Sequence, residues 1–486
     1  MLTGAIPLQG RTARVLDQSQ LGQIHDTSFR ILAEVGVEFR DETALEIFRN
    51  HSGATVEGGK VFFSRKLVEW AINQAPGKFT LRARNPANDV HLGEGHTYFT
   101  SGFGATFVCD SVQHTYRKAT LADVADYVRV ADKLENVHFI LTAFIPQDID
   151  PAIAEIYVAA LQFANTEKHV EFGTPDSDYV DAVWEMGQLV AEAAGVEGPL
   201  YSLGCTINSP LQYAREALPK LIHAAKRNIP FKLVCGALAG ATAPVTLAGA
   251  LAQQNAEILA GVTLCQLVNP GCPVIYGTFV GGMDMRTGKW GAAGPEMSLA
   301  TSASAQLCRM YDIPLGYGTA GIAEARVPGV RAGFEKGLTN LAAALCGVEV
   351  IHDAVSGLLA GAMAISFEQL VIENEFANWI KHFLRGIPVD EGTLAFDVIK
   401  EVGPGGNYLK QWHTAKRFKQ EHFISSLLNR KYLLEWPVSE EEDLVVQARH
   451  CVEEILASHR PVELDADVKR GIQAILTRIG GERVIF

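Results

Sequence analysis

Aromatic and ionisable residues recur where extended segments of this chain end. Tyr98, Phe99 and Phe103 follow one such segment, Phe144 and Gln147 a second, and Glu171 with Phe172 a third. Tyr276 and Phe279 belong to the sixth, Tyr317 to the seventh, and His352 with Asp353 to the eighth. A ring face attracts a cation without an acidic partner, so rings gathered around one opening would make a cage for a quaternary ammonium. Each ring taken singly reads more readily as packing, because aromatic side chains dominate core area. Glu171, His352 and Asp353 are the ionisable groups expected at the same opening, as functional groups or as hydrogen-bonding residues of a rim. Arg326 and Arg331 follow the seventh segment and offer bidentate forks for a carboxylate, or are simply solvated loop residues.

Other chemistries lack their parts. The chain has no H-E-x-x-H, G-x-S-x-G or P-loop, and no S-x-x-K in a nucleophile-like context. No lysine falls at the end of an expected strand, which argues against Schiff-base chemistry. The eight cysteines are scattered without a C-x-x-C pair, so they read as small buried hydrophobes and give structural zinc no support. No metal site and no residue acting by covalent catalysis is expected. An acid/base lyase or isomerase using Glu171 and His352 is a competing reading.

The elements that would position these residues alternate along the chain. After an α+β prelude over residues 1–95, extended segments are expected at Thr97–Ser101, Val137–Ile145, Val170–Gly173, Leu200–Thr206, Phe231–Cys235, Val274–Phe279, Leu315–Thr319 and Val348–Asp353. Helical periodicity fills the gaps, including Leu121–Leu134, Pro151–Thr166, Leu211–Ala225 and Pro244–Val268. Eight strand-helix repeats with near-continuous apolar strands predict an α/β fold: an eight-stranded parallel β/α (TIM) barrel over 96–390. A doubly wound sheet would show a Gly-rich phosphate turn early, and Ser101-Gly102-Phe103-Gly104 is not one. Residues 391–486 are expected to be a helical extension packed on the barrel.

Composition narrows the class of partner. With 42 Lys and Arg against 55 Asp and Glu the formal charge is −13, without a long run of one sign, which excludes a nucleic-acid surface. No apolar run approaches the roughly 20 residues of a membrane span, and Met1–Gln20 lacks the apolar centre of a secretory signal, so a cytoplasmic location is expected. A chain of this size suits a homo-oligomer.

Several stretches resemble the trimethylamine methyltransferase family. They run from Ile31-Leu32-Ala33-Glu34-Val35-Gly36-Val37, through Tyr116-Arg117-Lys118-Ala119-Thr120 with Asp123, to Gly316-Tyr317-Gly318-Thr319-Ala320-Gly321 and Gly333-Phe334-Glu335-Lys336. Ile351-His352-Asp353, Ser366-Phe367-Glu368-Gln369-Leu370, Gly405-Gly406-Asn407-Tyr408-Leu409 and His413-Thr414 continue the match. The resemblance implies a barrel and methyl transfer to the cobalt of a corrinoid (cobalamin) carried by a separate protein, with no cofactor bound by this chain. Trimethylamine enzymes of the family carry pyrrolysine in the loop before the Gly-Phe-Glu-Lys stretch, where this chain has Val330, Arg331 and Ala332. That departure shifts the expected substrate to a quaternary amine, glycine betaine first, with carnitine, proline betaine and γ-butyrobetaine as alternatives. A betaine-binding or corrinoid-docking protein without turnover is a further reading. The expected cage is Tyr98, Phe103, Tyr276 and Tyr317, with Phe144 and Glu171 also facing the substrate and Arg326, Arg331 and His352 as carboxylate partners.

Overall fold

The computed structural model describes residues 6–7, 13–173, 179–428 and 443–486. Eight parallel strands organise it: β1 (His96–Phe99), β2 (Phe139–Leu141), β3 (His169–Phe172), β4 (Tyr201–Ile207), β5 (Phe231–Cys235), β6 (Val274–Thr278), β7 (Leu315–Thr319) and β8 (Val350–His352). Their order is β1-β8-β7-β6-β5-β4-β3-β2, with a short antiparallel segment, Ile6–Pro7, on β1. The sheet curls, with a single parallel bridge between Thr100 and Phe139 and His138 N donating to Phe99 O at 2.9 Å. The strands stand close to where the sequence predicts them, and β5 and β7 match to the residue. The expected Val137–Ile145 shortens because Thr142 and Ala143 turn to accept hydrogen bonds from Gly104 and Ala105 at 2.8 and 2.9 Å.

The helices that follow the strands form an outer layer, and the longest, Leu247–Val268, is buried along nearly its whole length. Its polar residues, Gln253, Gln254, Asn255, Glu257 and Gln266, are buried with its apolar ones, so the helix is covered on every side. The helix Gln18–Glu34 of the N-terminal region supplies that cover, with Ser28 Oγ donating to Ala252 O at 2.9 Å. The expected helix Leu211–Ala225 begins only at Ala217. Its first residues instead pair with the N-terminal region, Tyr213 opposite Phe39, where the two rings stack at 4.9 Å and Tyr213 Oη donates to Glu257 O at 2.8 Å. Beyond the sheet stand the helices Glu391–Leu394, Phe396–Val402, Trp412–Glu421, Leu444–Ser458 and Ala466–Arg478. Among the described residues no helix is long and apolar enough to cross a membrane.

The two ends of the curled sheet are built differently. At the N-terminal end the hairpin Phe79–Leu81 and Val90–Leu92 inserts Leu81, Val90 and Leu92 against Tyr98, Phe139, Leu141, Ile275 and Val350, a separate apolar cluster that plugs the base. At the C-terminal end the connection after β8 is pinned by buried charge. Glu373, on the helix Phe367–Leu384, accepts hydrogen bonds from Ser356 N and Gly357 N at 2.6 and 2.8 Å and pairs with Lys336 of the helix Val330–Leu345. Lys336 and Glu373 are both fully buried, and burial pulls the Lys336 ammonium below its ordinary value despite Glu373. Removing one member of such a pair strands the other charge without water. Lys336→Met is therefore expected to destabilise the protein by about 3 to 5 kcal/mol, read as a lowered denaturation midpoint. A loss below about 1 kcal/mol would show that the pair does not hold this end together.

Candidate active site

Alternate residues of a strand face opposite sides of a sheet, and the contacts show which side lies within the curl. Phe172 packs outward against Phe163 and Tyr201, with ring centroids 5.4 and 5.5 Å away, so His169 and Glu171 point inward. Cys235 donates outward to Glu257 of the helix Leu247–Val268 at 2.8 Å, so Lys232 and Val234 point inward. Gly204, opposite Lys232 in the register, leaves room for it: a Cβ there would stand 3.0 Å from Lys232 Cε.

These inward residues form a chain of buried polar groups. Lys232 Nζ pairs with Glu171 Oε1 and lies 3.0 Å from His352 Nε2, which is itself 3.7 Å from Glu171 Oε1. On its other side, His352 Nδ1 lies 2.9 Å from Asp353 Oδ2, close enough for an ion pair but not aligned as a hydrogen bond. Asp353 has φ +62°, in the left-handed region that L residues seldom occupy, and Thr100 Oγ1 accepts its N–H at 3.0 Å. Ser202 Oγ stands 3.3 Å from Glu171 Oε2 and 3.0 Å from His169 Nε2. His169 Nδ1 lies 2.7 Å from Arg82 O, which can only accept, so Nδ1 carries the proton and Nε2 is the acceptor facing Ser202.

The electrostatics follow from burial and pairing. Burial alone would raise the Glu171 carboxyl, but Lys232 and His352 outweigh it and hold it at about 2. Burial lowers the His169 imidazole to about 4, which keeps it neutral. A general base works best with a pKa near the operating pH, so an anion fixed this firmly is a poor proton acceptor. The layer is built to hold charge in place. The acid/base reading of Glu171 and His352 loses its base, although the structure does bring those two residues together.

The other expected site residues fall in several places. Phe103 stays at the C-terminal opening, 37% exposed. Tyr98 lies instead in the apolar base, its hydroxyl accepting from His91 N at 3.0 Å and donating to His91 O at 3.3 Å, because β1 begins there. Tyr276 faces the helix layer, donating to Asn255 Oδ1 at 3.2 Å and accepting from Gln254 Nε2 at 3.3 Å. Phe144 is buried edge-on against Tyr127 at 5.6 Å. These three positions correct the expectation that Tyr98, Tyr276 and Phe144 face one opening. Tyr317 pairs with Gly277 in β7, and its side chain lies outside the described residues. Arg326 is exposed and Tyr116 Oη donates to its carbonyl; Arg331 is exposed and pairs with Glu335 at 2.8 Å. Val330, Arg331 and Ala332 form the first turn of the helix Val330–Leu345 and not a loop, with Val330 93% exposed and Ala332 buried.

Lys232 is the residue that a search of strand ends misses, since it is the second residue of β5. The signal was available: it is the lone charge in Phe231-Lys232-Leu233-Val234-Cys235, and a charge in so apolar a strand needs a buried partner. Among the described residues, no group of three or more His, Cys, Asp or Glu side chains is arranged to hold a metal ion.

Comparison with known proteins extends over the same span. The family model for trimethylamine methyltransferase (MTTB) matches residues 4–481. The chain is 35% identical to a glycine betaine methyltransferase of Desulfitobacterium hafniense (strain Y51), covering 96% of this chain and 97% of that one. It is 31% identical to a trimethylamine methyltransferase MttB of Desulfitobacterium hafniense (strain DSM 10664 / DCB-2), over 97% and 95% of the two chains. In structure it resembles the Methanosarcina barkeri monomethylamine methyltransferase (MtmB) with a TM-score of 0.50 at 13% identity, covering 93% of this chain and 90% of that one, a likeness of fold alone. With the family model matching residues 4–481 and 35% identity to a relative along both chains, the chain belongs to the trimethylamine methyltransferase family of methyltransferases.

Proposed function

We infer that this chain moves a methyl group from glycine betaine to the Co(I) centre of a corrinoid carried by a separate protein, releasing dimethylglycine. The observation that carries the reading is the 35% identity to a glycine betaine methyltransferase along both whole chains. Ordinary residues at Val330, Arg331 and Ala332, where trimethylamine enzymes are expected to carry pyrrolysine, agree with a quaternary substrate. We read the curled sheet, bridged at Thr100 and Phe139, as a closed eight-stranded barrel with the substrate in its C-terminal opening.

The chemistry asks little of the protein beyond position. The carbon–nitrogen bond breaks with its electron pair going to nitrogen, and the cobalt pair forms the new bond to carbon, so no proton moves. A quaternary nitrogen already carries the charge that makes the amine a leaving group. The site then has to desolvate the cation and orient one methyl outward. The buried Glu171–Lys232–His352 chain fits this division of labour, because it supplies fixed charge without acting as a base. We place the substrate carboxylate toward Lys232 and His352 and the ammonium toward the opening. Reduced cobalt requires a reducing compartment, which puts both proteins in the cytoplasm.

Mixing the protein with Co(I) cobalamin and a panel of quaternary amines should give the spectrum of methylated cobalt with one betaine above the others. Saturable binding without any spectral change would favour the docking or binding reading, and turnover of carnitine or proline betaine alone would reassign the substrate. Lys232→Met combined with Glu171→Gln, so that no buried anion is left unpaired, is expected to weaken glycine betaine by about tenfold or more, the worth of one hydrogen bond to a charged group. Tetramethylammonium, which has no carboxylate, should bind this variant as it binds the wild type in titration calorimetry. Equal weakening of both ligands would remove Lys232 from the carboxylate end.

A further inference from the structure

β3 ends at Phe172, and Gly173 follows it, buried and without a side chain. A Cβ at this position would lie 3.0 Å from Phe103 Cζ and 3.6 Å from Glu155 Oε1. The bare backbone therefore lets a ring and a carboxylate close on the same point. Phe103 comes from the segment after β1, Glu155 from the first turn of the helix Ala154–Asn165 after β2, and Gly173 from the end of β3. Gly173 is two residues beyond Glu171 on the same face, so this cluster sits about 7 Å above the buried charge layer.

Glu155 is a costly residue to keep here. It is half-buried, and among the described residues no hydrogen bond or ion pair holds its carboxylate. Burial pushes its carboxyl up to about 7, with only the field of Lys220 acting the other way. A carboxylate in such a position gains most from a cation that arrives with its own water removed. Phe103, exposed at its rim, offers the adjoining ring face.

The geometry points to Phe103 and Glu155 as the seat of the substrate's ammonium pole, the ring packing on its methyl groups and the carboxylate supplying the countercharge. This rests on the reading of a quaternary amine substrate given above. A quaternary nitrogen has no N–H, so ring faces and charge are the means of recognising it. The same chemistry sets which step Glu155 serves. Positive charge leaves the nitrogen as the methyl departs, so a carboxylate there holds the substrate more tightly than the transition state or the neutral amine product. Glu155 is thus a binding residue that lowers KM and does not raise kcat.

Glu155→Gln tests this through binding, rate and pH together. At pH 8 its dissociation constant for glycine betaine should rise about tenfold or more, the loss of one desolvated charge contact. Binding of 3,3-dimethylbutyrate, which has the same shape with an uncharged head, should not change, and kcat for betaine should be kept or increased. In the wild-type protein betaine affinity should be constant above about pH 7 and fall below it as Glu155 takes up a proton, a fall that Glu155→Gln should abolish. Equal weakening of the two ligands, a loss confined to kcat, or a pH dependence that survives the substitution would overturn the assignment. If wild-type protein binds no betaine, the substrate reading fails and this proposal fails with it.

Discussion

A lysine enclosed in a curled sheet must be neutralised where it stands, and the Lys232–Glu171 pair is the constraint from which the rest of the site follows. Taking each charge out of water costs several kcal/mol, and the mutual attraction offsets this only with good geometry and further partners. His352, from β8, stands beside both members of the pair, and Ser202 of β4 lies 3.3 Å from Glu171 Oε2. The pair therefore couples strands on opposite sides of the sheet. Gly204 is bare because the lysine must pass it.

With the interior fixed at that level, the two ends of the sheet are free to differ. The hairpin Phe79–Leu81 and Val90–Leu92 fills the base with apolar side chains, while the C-terminal end is built from the connections that follow the strands. The connection after β7 is tied by Glu335, which accepts hydrogen bonds from Glu324 N and Ala325 N, and the connection after β8 is tied by Glu373. Each is a carboxylate from an outer helix gripping backbone N–H groups. Rigid connections of this kind hold a binding geometry better than loops left to themselves.

Much of the framework is legible in the sequence, because strand-helix alternation survives without any knowledge of facing. β5 and β7 can be placed to the residue, and a resemblance spread from Ile31 to Thr414 identifies the family. Facing is what the sequence withholds. Strands covered on both sides are apolar throughout, so Tyr276 gives no sign that it turns to the helices while Ile275 turns inward. Tyr98 is equally silent on whether it marks the start of β1 or its end. Glu171 and His352, expected at the opening, are instead buried within the sheet, and Lys232, the residue joining them, lies outside any list drawn from strand ends. Glu155 sits in the first turn of a helix, where an acidic residue is ordinary, and only the bare backbone at Gly173 singles it out.

The central claim is that a cation with a carboxylate tail lies along the sheet interior, its charged ends sorted by the fixed charges around them. A crystal structure of the protein with glycine betaine tests this most directly. The account predicts the trimethylammonium head beside Phe103 and Gly173 and the carboxylate pointing down toward Lys232 and His352. Density for the ligand in the reverse orientation, or anywhere outside the C-terminal opening, would contradict it.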